Sequence, residues 1–136
     1  MKTVFVDTGY WQAVLNPHDT LNARAIQVSK QLGDVRMLTT EMVLAELLAA
    51  LAKPATRGLA VISVDYIRAN PNVEVVPQTS LQFAHAYVMY RARLDQGWSL
   101  TDCASFVLMQ ERSLSEALAH DKHFEQAGFN ALLRGG

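Results

Sequence analysis

The stretch that decides the fold is Thr3-Val4-Phe5-Val6-Asp7, a β-branched and aromatic run that ends in an acid. Such residues favour a β-strand, and the lack of polar alternation is typical of a strand covered on both faces. Asp7 would then lie at the carboxyl end of this strand. Further strands are predicted at residues 35–39, 73–76, 116–119 and 130–133.

Helical segments fill the chain between these strands. They are predicted at residues 10–15, 18–32, 41–51, 58–69, 79–94, 100–112 and 124–127. Helices that alternate with short apolar strands predict a parallel sheet with helices on both faces. The length suits one hydrophobic core, and no repeat or linker interrupts the sequence. We therefore expect a single three-layer α/β/α domain over residues 1–136.

The composition is that of an ordinary globular protein, with 50% hydrophobic and 18% charged residues. Cys103 is the only cysteine, so an internal disulfide is excluded and a cytoplasmic location is expected. No signal peptide is visible and the apolar runs are too short for a bilayer, so no membrane partner is expected. The net charge of −1 does not by itself favour a nucleic-acid partner.

Four acidic residues stand in or beside apolar segments, where a charge is costly. Asp7 ends the first strand, and Glu46 lies within Val43-Leu44-Ala45-Glu46-Leu47-Leu48. Asp102 follows Ser99-Leu100-Thr101, and Asp121 comes just after the fourth strand. Carboxylates are rarely buried without a partner, and a divalent cation would serve several at once. Because sites in such sheets lie beyond the carboxyl ends of the strands, we expect three of the four to converge there.

Each acid also has a structural alternative. Asp7 could form an Asx turn with the two residues after it, and Glu46 could lie at the rim of an apolar helix face. Asp102, in the first turn of one helix, and Asp121, just before another, could each serve as a cap, because a helix N-terminus favours negative charge. Glu46 has the weakest alternative, since no cation lies three or four residues away. Glu41, by contrast, is explained by the helix N-terminus alone.

Other side chains beside the acids are candidates for supporting roles. Three hydroxyl residues could orient carboxylates or metal-bound water, namely Thr8, Ser99 and Thr101. His120 and His123 flank Asp121, but no cysteine or third histidine is near them, which leaves a zinc site poorly supported. Trp11 and Trp98 could stack on bases, although packing is the commoner role of tryptophan.

Carboxylates without thiolates or a histidine cluster are the ligands that suit Mg²⁺ or Mn²⁺. Such an ion activates water and neutralises charge on a phosphodiester, so the acids indicate metal-assisted phosphodiester hydrolysis. Removing the four acids from the 13 in the chain leaves 9 against 12 Lys and Arg, a mildly basic remainder. That remainder is compatible with a nucleic-acid substrate, although a well-mixed surface is the simpler interpretation.

Other classes of protein remain as alternatives. Val6-Asp7-Thr8-Gly9 matches the local signature of an aspartic protease, but those enzymes are all-β and need no metal. A binding module that takes RNA or a protein partner without cleavage is also open. A nucleotide-binding protein lacks its glycine-rich motifs here. A phosphorylated receiver domain would need an acceptor Asp after the third strand, where Pro77 and Gln78 stand.

Four segments in order resemble the motifs of PIN-domain nucleases, in particular VapC-like toxin ribonucleases of type II toxin–antitoxin systems. They are Val4-Phe5-Val6-Asp7-Thr8, Thr39-Thr40 through Val43-Leu44-Ala45-Glu46, Trp98-Ser99-Leu100-Thr101-Asp102-Cys103-Ala104-Ser105-Phe106, and Ala119-His120-Asp121-Lys122-His123-Phe124 ahead of Gly128-Phe129.

The resemblance implies a five-stranded parallel sheet and a site in which four acids hold Mg²⁺ or Mn²⁺. Those acids would be Asp7, Glu46, Asp102 and Asp121. It also implies cleavage of single-stranded RNA, an inhibitory antitoxin partner and a homodimer. Thr8 and Thr101 would be supporting polar residues. A catalytically weak or inactive domain that binds RNA or a partner is the alternative within the family.

Overall fold

The computed structural model describes residues 1–134, along which five strands alternate with seven helices. The strands are β1 (Thr3–Val6), β2 (Arg36–Thr40), β3 (Val73–Val76), β4 (Glu116–Leu118) and β5 (Asn130–Ala131). The helices are α1 (Thr8–Leu15), α2 (Asn22–Leu32), α3 (Glu41–Ala50), α4 (Pro54–Ala69), α5 (Ser80–Ala92), α6 (Leu100–Glu111) and α7 (Lys122–Gln126). The predicted single domain extends to residue 136, and positions 135 and 136 lie outside the described residues.

All five strands form one parallel sheet in the order β3-β2-β1-β4-β5, which confirms the predicted α/β fold. β1 is central, with β2 on one side and β4 on the other. The chain changes direction of winding between β1 and β4, and the crevice at their carboxyl ends is where such sheets bind ligands. The backbone N–H of Asp7 donates to the carbonyl of Leu118 at 3.1 Å and joins these two strand ends.

The hydrophobic core surrounds β1. Val4, Phe5 and Val6 are fully buried, although consecutive side chains point to opposite faces of the sheet. Both faces are therefore covered, which explains the absence of polar alternation in this strand. The ring of Phe124 packs against Phe5 and Phe106, with centroids 6.2 Å and 5.0 Å away, and so ties α6 and α7 to the strand.

Two helix starts differ from the sequence prediction for local reasons. α2 begins at Asn22 and not at residue 18, because Oδ1 of Asp19 accepts a hydrogen bond from the N–H of Leu21 at 2.8 Å and holds a turn. α4 begins at Pro54 and not at residue 58. Proline has no N–H to lose in a first turn, so it starts this helix as well as ending the segment before it.

The remaining boundaries agree with the prediction to within a few residues. α1 begins two residues earlier than predicted, at Thr8, and β5 is shorter, ending at Ala131. Within residues 1–134, no helix has the length and apolar character needed to cross a membrane.

Candidate metal centre

Asp7 lies at the point where β1 ends and α1 begins. Asp7 is 8% exposed, and its Oδ1 is buried with no hydrogen-bond partner among the described residues. Burial raises the pKa of this carboxyl to about 7, against an opposing hydrogen bond from the backbone N–H of Thr8. The negative charges of Asp102, Glu46 and Asp121 raise that pKa further. Asp7 therefore lies within electrostatic reach of acids from three other segments.

Glu46 projects from α3 toward the start of α1. Its Oε1 accepts a hydrogen bond of 2.6 Å from the hydroxyl of Thr8, 38 positions away in the sequence. α3 itself is fixed at its N-terminus by Thr40, whose Oγ1 accepts from the N–H of Val43 at 3.0 Å. Thr8 therefore orients a site carboxylate, the kind of role that its position beside Asp7 suggested.

Asp102 is buried in the first turn of α6 and forms a capping box with Ser99. The Ser99 N–H donates to Oδ2 of Asp102, and the Asp102 N–H donates to Oγ of Ser99, each at 3.0 Å. The capping alternative is thus observed, and it fixes the carboxylate in place. Thr101 contacts the helix through its carbonyl, which accepts from Oγ of Ser105.

Asp121 caps the short helix α7 and is exposed. Its Oδ1 accepts a hydrogen bond of 3.0 Å from the N–H of His123. Capping is again observed, as one of the sequence alternatives predicted. Asp121 also lines an open surface cleft together with Asp7 and Glu46, whereas Asp102 is not among the residues that line it.

His123 joins Asp102 to Asp121, a contact that the sequence analysis missed. Its Nδ1 lies 2.9 Å from Oδ2 of Asp102 and 3.3 Å from Oδ1 of Asp121. One ligand atom from each of these three residues lies within 4.8 Å of the others. The residues next to His123 in the sequence do not reveal this contact, because Asp102 lies 21 positions away. The signal that could have indicated it is a histidine beside one candidate acid and within reach of another.

The donors fit a divalent cation. Carboxylate oxygens and an imidazole nitrogen are ordinary ligands of such ions, and a cation would give Oδ1 of Asp7 the partner that it lacks. It would also offset the repulsion among four acids that raises the pKa of Asp7. Asp7, Glu46, Asp102 and Asp121 are the residues that would hold it.

The cleft beside the acids also carries basic side chains. Lys122 and Arg134 line it together with Gln12. The guanidinium of Arg134 donates to the carbonyl of His120 at 3.1 Å and pairs with Glu125, so its position is fixed. Positive groups next to an acidic centre suit a substrate with phosphates on either side of the reacting bond.

Both tryptophans near the acids are packing residues. Trp98 is buried, packs edge-on against Phe106 with centroids 5.1 Å apart, and donates from Nε1 to Oε1 of Gln126. Trp11 is buried and reaches Oγ1 of Thr39. Neither ring presents a face to the cleft for a base, so packing was the correct interpretation. The parallel α/β sheet also excludes the all-β fold of an aspartic protease.

Comparisons with known proteins agree with this architecture. VapC20 from Mycobacterium tuberculosis, a sarcin-ricin loop cleaving toxin, superposes with a TM-score of 0.83 at 26% identity, covering 93% of this chain and 95% of that one. No curated protein matches the sequence.

Two solved structures of lower identity share the fold. VapBC2 from Rickettsia felis, solved bound to a DNA fragment from their promoter, has a TM-score of 0.65 at 12% identity, covering 95% of this chain and 96% of that one. FitAcB from Neisseria gonorrhoeae has a TM-score of 0.65 at 18% identity, covering 94% and 95%. The family model for the PIN domain matches residues 4–130, from the central strand to the last one. A match of that extent, on a chain with this sheet and these converging acids, shows that the protein belongs to the PIN-domain family.

Proposed function

We propose that this chain is a metal-dependent endoribonuclease that hydrolyses phosphodiester bonds of single-stranded RNA, as the toxin of a toxin–antitoxin pair. Asp7, Glu46, Asp102 and Asp121 hold the Mg²⁺ or Mn²⁺ on which cleavage depends. The observation that carries the proposal is Oδ1 of Asp7, a buried carboxylate oxygen that has no partner in the described part of the chain and that lies within electrostatic reach of three other acids. PIN-domain membership and the likeness to VapC20, a toxin, support the choice of activity.

The contacts of the site acids prepare them for a cation. Thr8 holds Glu46 by its hydroxyl, and Ser99 holds Asp102 by its backbone N–H. Because these carboxylates are already fixed, little rearrangement is needed when metal binds. The buried carboxyl of Asp7 becomes fully ionised once a cation offsets its neighbours. A cation held by these acids would activate water and neutralise charge on the phosphodiester.

The shape of the site favours an unpaired strand. The cleft opens at the surface, and Asp7, one of the residues that line it, is largely buried. A flexible single strand can bring its phosphodiester close to a buried carboxylate more readily than a stiff duplex can. Lys122 and Arg134 on the wall would bind the phosphates that flank the reacting bond.

Protein partners are part of the proposal. Large apolar side chains are exposed on two helices: Val61, Ile62 and Tyr66 on α4, and Leu81, Phe83, Tyr87, Val88 and Tyr90 on α5. Exposed apolar groups of this kind support contacts with other chains. We propose a second copy of this chain and an antitoxin as those partners, with the cytoplasm as the compartment.

Cleavage of defined strands tests the activity. We expect the purified protein to cut an end-labelled single-stranded RNA internally with Mn²⁺ or Mg²⁺, and not with EDTA or on the same sequence as DNA. Asp7→Asn should reduce the cleavage rate at least about a hundredfold, because removing a group of this kind costs several kcal/mol of transition-state stabilisation. Asp95→Asn is the matched control, since Asp95 is exposed and pairs with Arg93 away from the cleft.

Two results would argue against the proposal. Cleavage that continues in EDTA would remove the metal requirement, and unchanged cleavage by Asp7→Asn would remove this site. RNA binding without cleavage by the folded wild type would favour the alternative, an inactive PIN-fold binding module.

A further inference from the structure

The imidazole of His123 occupies the gap between two site acids that come from different elements. Asp102 belongs to α6, whereas Asp121 caps α7 and His123 lies in the first turn of α7. Nδ1 of His123 lies 2.9 Å from Oδ2 of Asp102 and 3.3 Å from Oδ1 of Asp121. The side chain is only 21% exposed, so the ring is held in this position.

Helix capping does not require this ring. The backbone N–H of His123 already satisfies Oδ1 of Asp121 at the start of α7. Ser99 already completes the capping box with Asp102 at the start of α6. Any residue except proline would supply the backbone N–H at position 123, whereas the nitrogen beside both carboxylates belongs to the imidazole side chain.

An independent feature points to a cation at the same place. Asp7 lines the cleft that Asp121 lines, and its buried Oδ1 has no partner within residues 1–134. An unpartnered buried carboxylate oxygen is costly unless a cation or donor completes it. The ligand atoms of Asp102, Asp121 and His123 lie within 4.8 Å of one another, a group that does not include Asp7. Asp121 links the two features, because it belongs to this group and also lines the cleft with Asp7, and the charges of Asp102 and Asp121 both act on the carboxyl of Asp7.

We propose that His123 binds the metal through an imidazole nitrogen, so that the centre has a mixed nitrogen and oxygen ligand set. This inference rests on the proposed metal-dependent function and adds a ligand to its four acids. Imidazole suits first-row transition ions, while Mg²⁺ prefers oxygen donors. His123 therefore makes the site selective for Mn²⁺ over Mg²⁺.

Pulsed electron paramagnetic resonance of the Mn²⁺-loaded protein tests the ligand directly. A coordinated imidazole produces a nitrogen modulation of the Mn²⁺ echo, and histidine labelled with the heavy nitrogen isotope changes its pattern. We expect the modulation in the wild type and in His120→Gln, and its loss in His123→Gln. His120 is a stringent control because it lines the cleft beside Asp121 but lies outside the group of three ligand atoms.

Metal affinity gives a second readout. His123→Gln should weaken Mn²⁺ binding by at least about tenfold, as loss of groups around a metal commonly does, and should weaken Mg²⁺ binding less. If His123→Gln does not fold, a second variant tests the same ligand. In it, His18, His85 and His120 are replaced by Gln, so that His123 is the last of the four histidines. The nitrogen modulation should then persist.

The outcomes separate this inference from the proposed function. Mn²⁺ that binds and supports cleavage without nitrogen modulation would overturn the role of His123 and leave the nuclease intact. Modulation that survives in His123→Gln would overturn it as well. A wild type that binds no Mn²⁺ would overturn both proposals.

Discussion

The carboxyl group of Asp7 is unfavourable to ionise in the absence of a cation. It is buried, one of its oxygens has no partner among residues 1–134, and three other acids act on it by their charge, so its pKa rises from 3.8 to about 7. The folded protein therefore holds a proton on Asp7 that the unfolded chain releases at lower pH. Stability supplied by this protonated group is present below about pH 4 and is lost as pH rises to about 7.

We expect Asp7→Asn to stabilise the metal-free protein. Asn is neutral in both states, so the gain in free energy of unfolding should grow from about pH 4 to about pH 7 and then level off. At about 1.4 kcal/mol per pKa unit, the gain reaches a few kcal/mol. Urea unfolding in the presence of a chelator, repeated across that pH range, measures it.

Asp95→Asn is the control for this series. Arg93 lowers the pKa of Asp95, which is exposed, so its replacement should give no gain as pH rises. A gain for Asp7→Asn that stays constant or falls with pH would contradict the burial of an uncompensated acid.

At the scale of elements, helix starts position the site. α1, α6 and α7 begin at or beside Asp7, Asp102 and Asp121, so the backbone turn that starts each helix also places a carboxylate. Capping and metal binding are therefore compatible uses of the same acids. In the sequence they look like competing interpretations, because a single segment does not reveal which side chains of other elements lie near the capping carboxylate.

The capping box of α6 should affect both stability and metal binding. Ser99→Ala removes the hydroxyl that accepts from the N–H of Asp102, which should lower the free energy of unfolding by about 1 kcal/mol. We expect Mn²⁺ affinity to fall by up to about fivefold, the factor that corresponds to about 1 kcal/mol, because the carboxylate of Asp102 is then held less firmly. Chemical unfolding and calorimetric Mn²⁺ titration measure the two effects.

Thr79→Ala provides a matched comparison. Thr79 caps α5 by accepting from the N–H of Gln82 at 3.1 Å, and α5 carries none of the site acids. Its replacement should cost similar stability and leave Mn²⁺ affinity unchanged. Equal losses of affinity in both variants would mean that capping acts only through general stability.

At the scale of the whole molecule, the sheet order brings the distant acids together. β1 lies between β2 and β4, so the end of β1 faces the segment after β4. Patterns of short apolar strands predicted this sheet, and strand ends predicted the approach of Asp7 to Asp121. The family resemblance agreed with the five strands and the four acids that the residues had already indicated.

Contacts between side chains distant in the sequence could not be predicted in the same way. The bond from Thr8 to Glu46 and the position of His123 against Asp102 depend on how α3 and α6 pack, and local patterns do not encode that packing. Helix starts were missed where a side chain competed for the backbone, as Asp19 does before α2.

Calorimetric titration of Mn²⁺ into the wild type and into single amide variants of the four acids tests the central claim most directly. We expect one shared site, and a loss of affinity of about tenfold or more in each of Asp7→Asn, Glu46→Gln, Asp102→Asn and Asp121→Asn. Glu41→Gln should bind as the wild type does, because Glu41 accepts from the N–H of Gln78 outside the cleft. Wild-type affinity in all four variants would contradict a metal centre at this edge of the sheet.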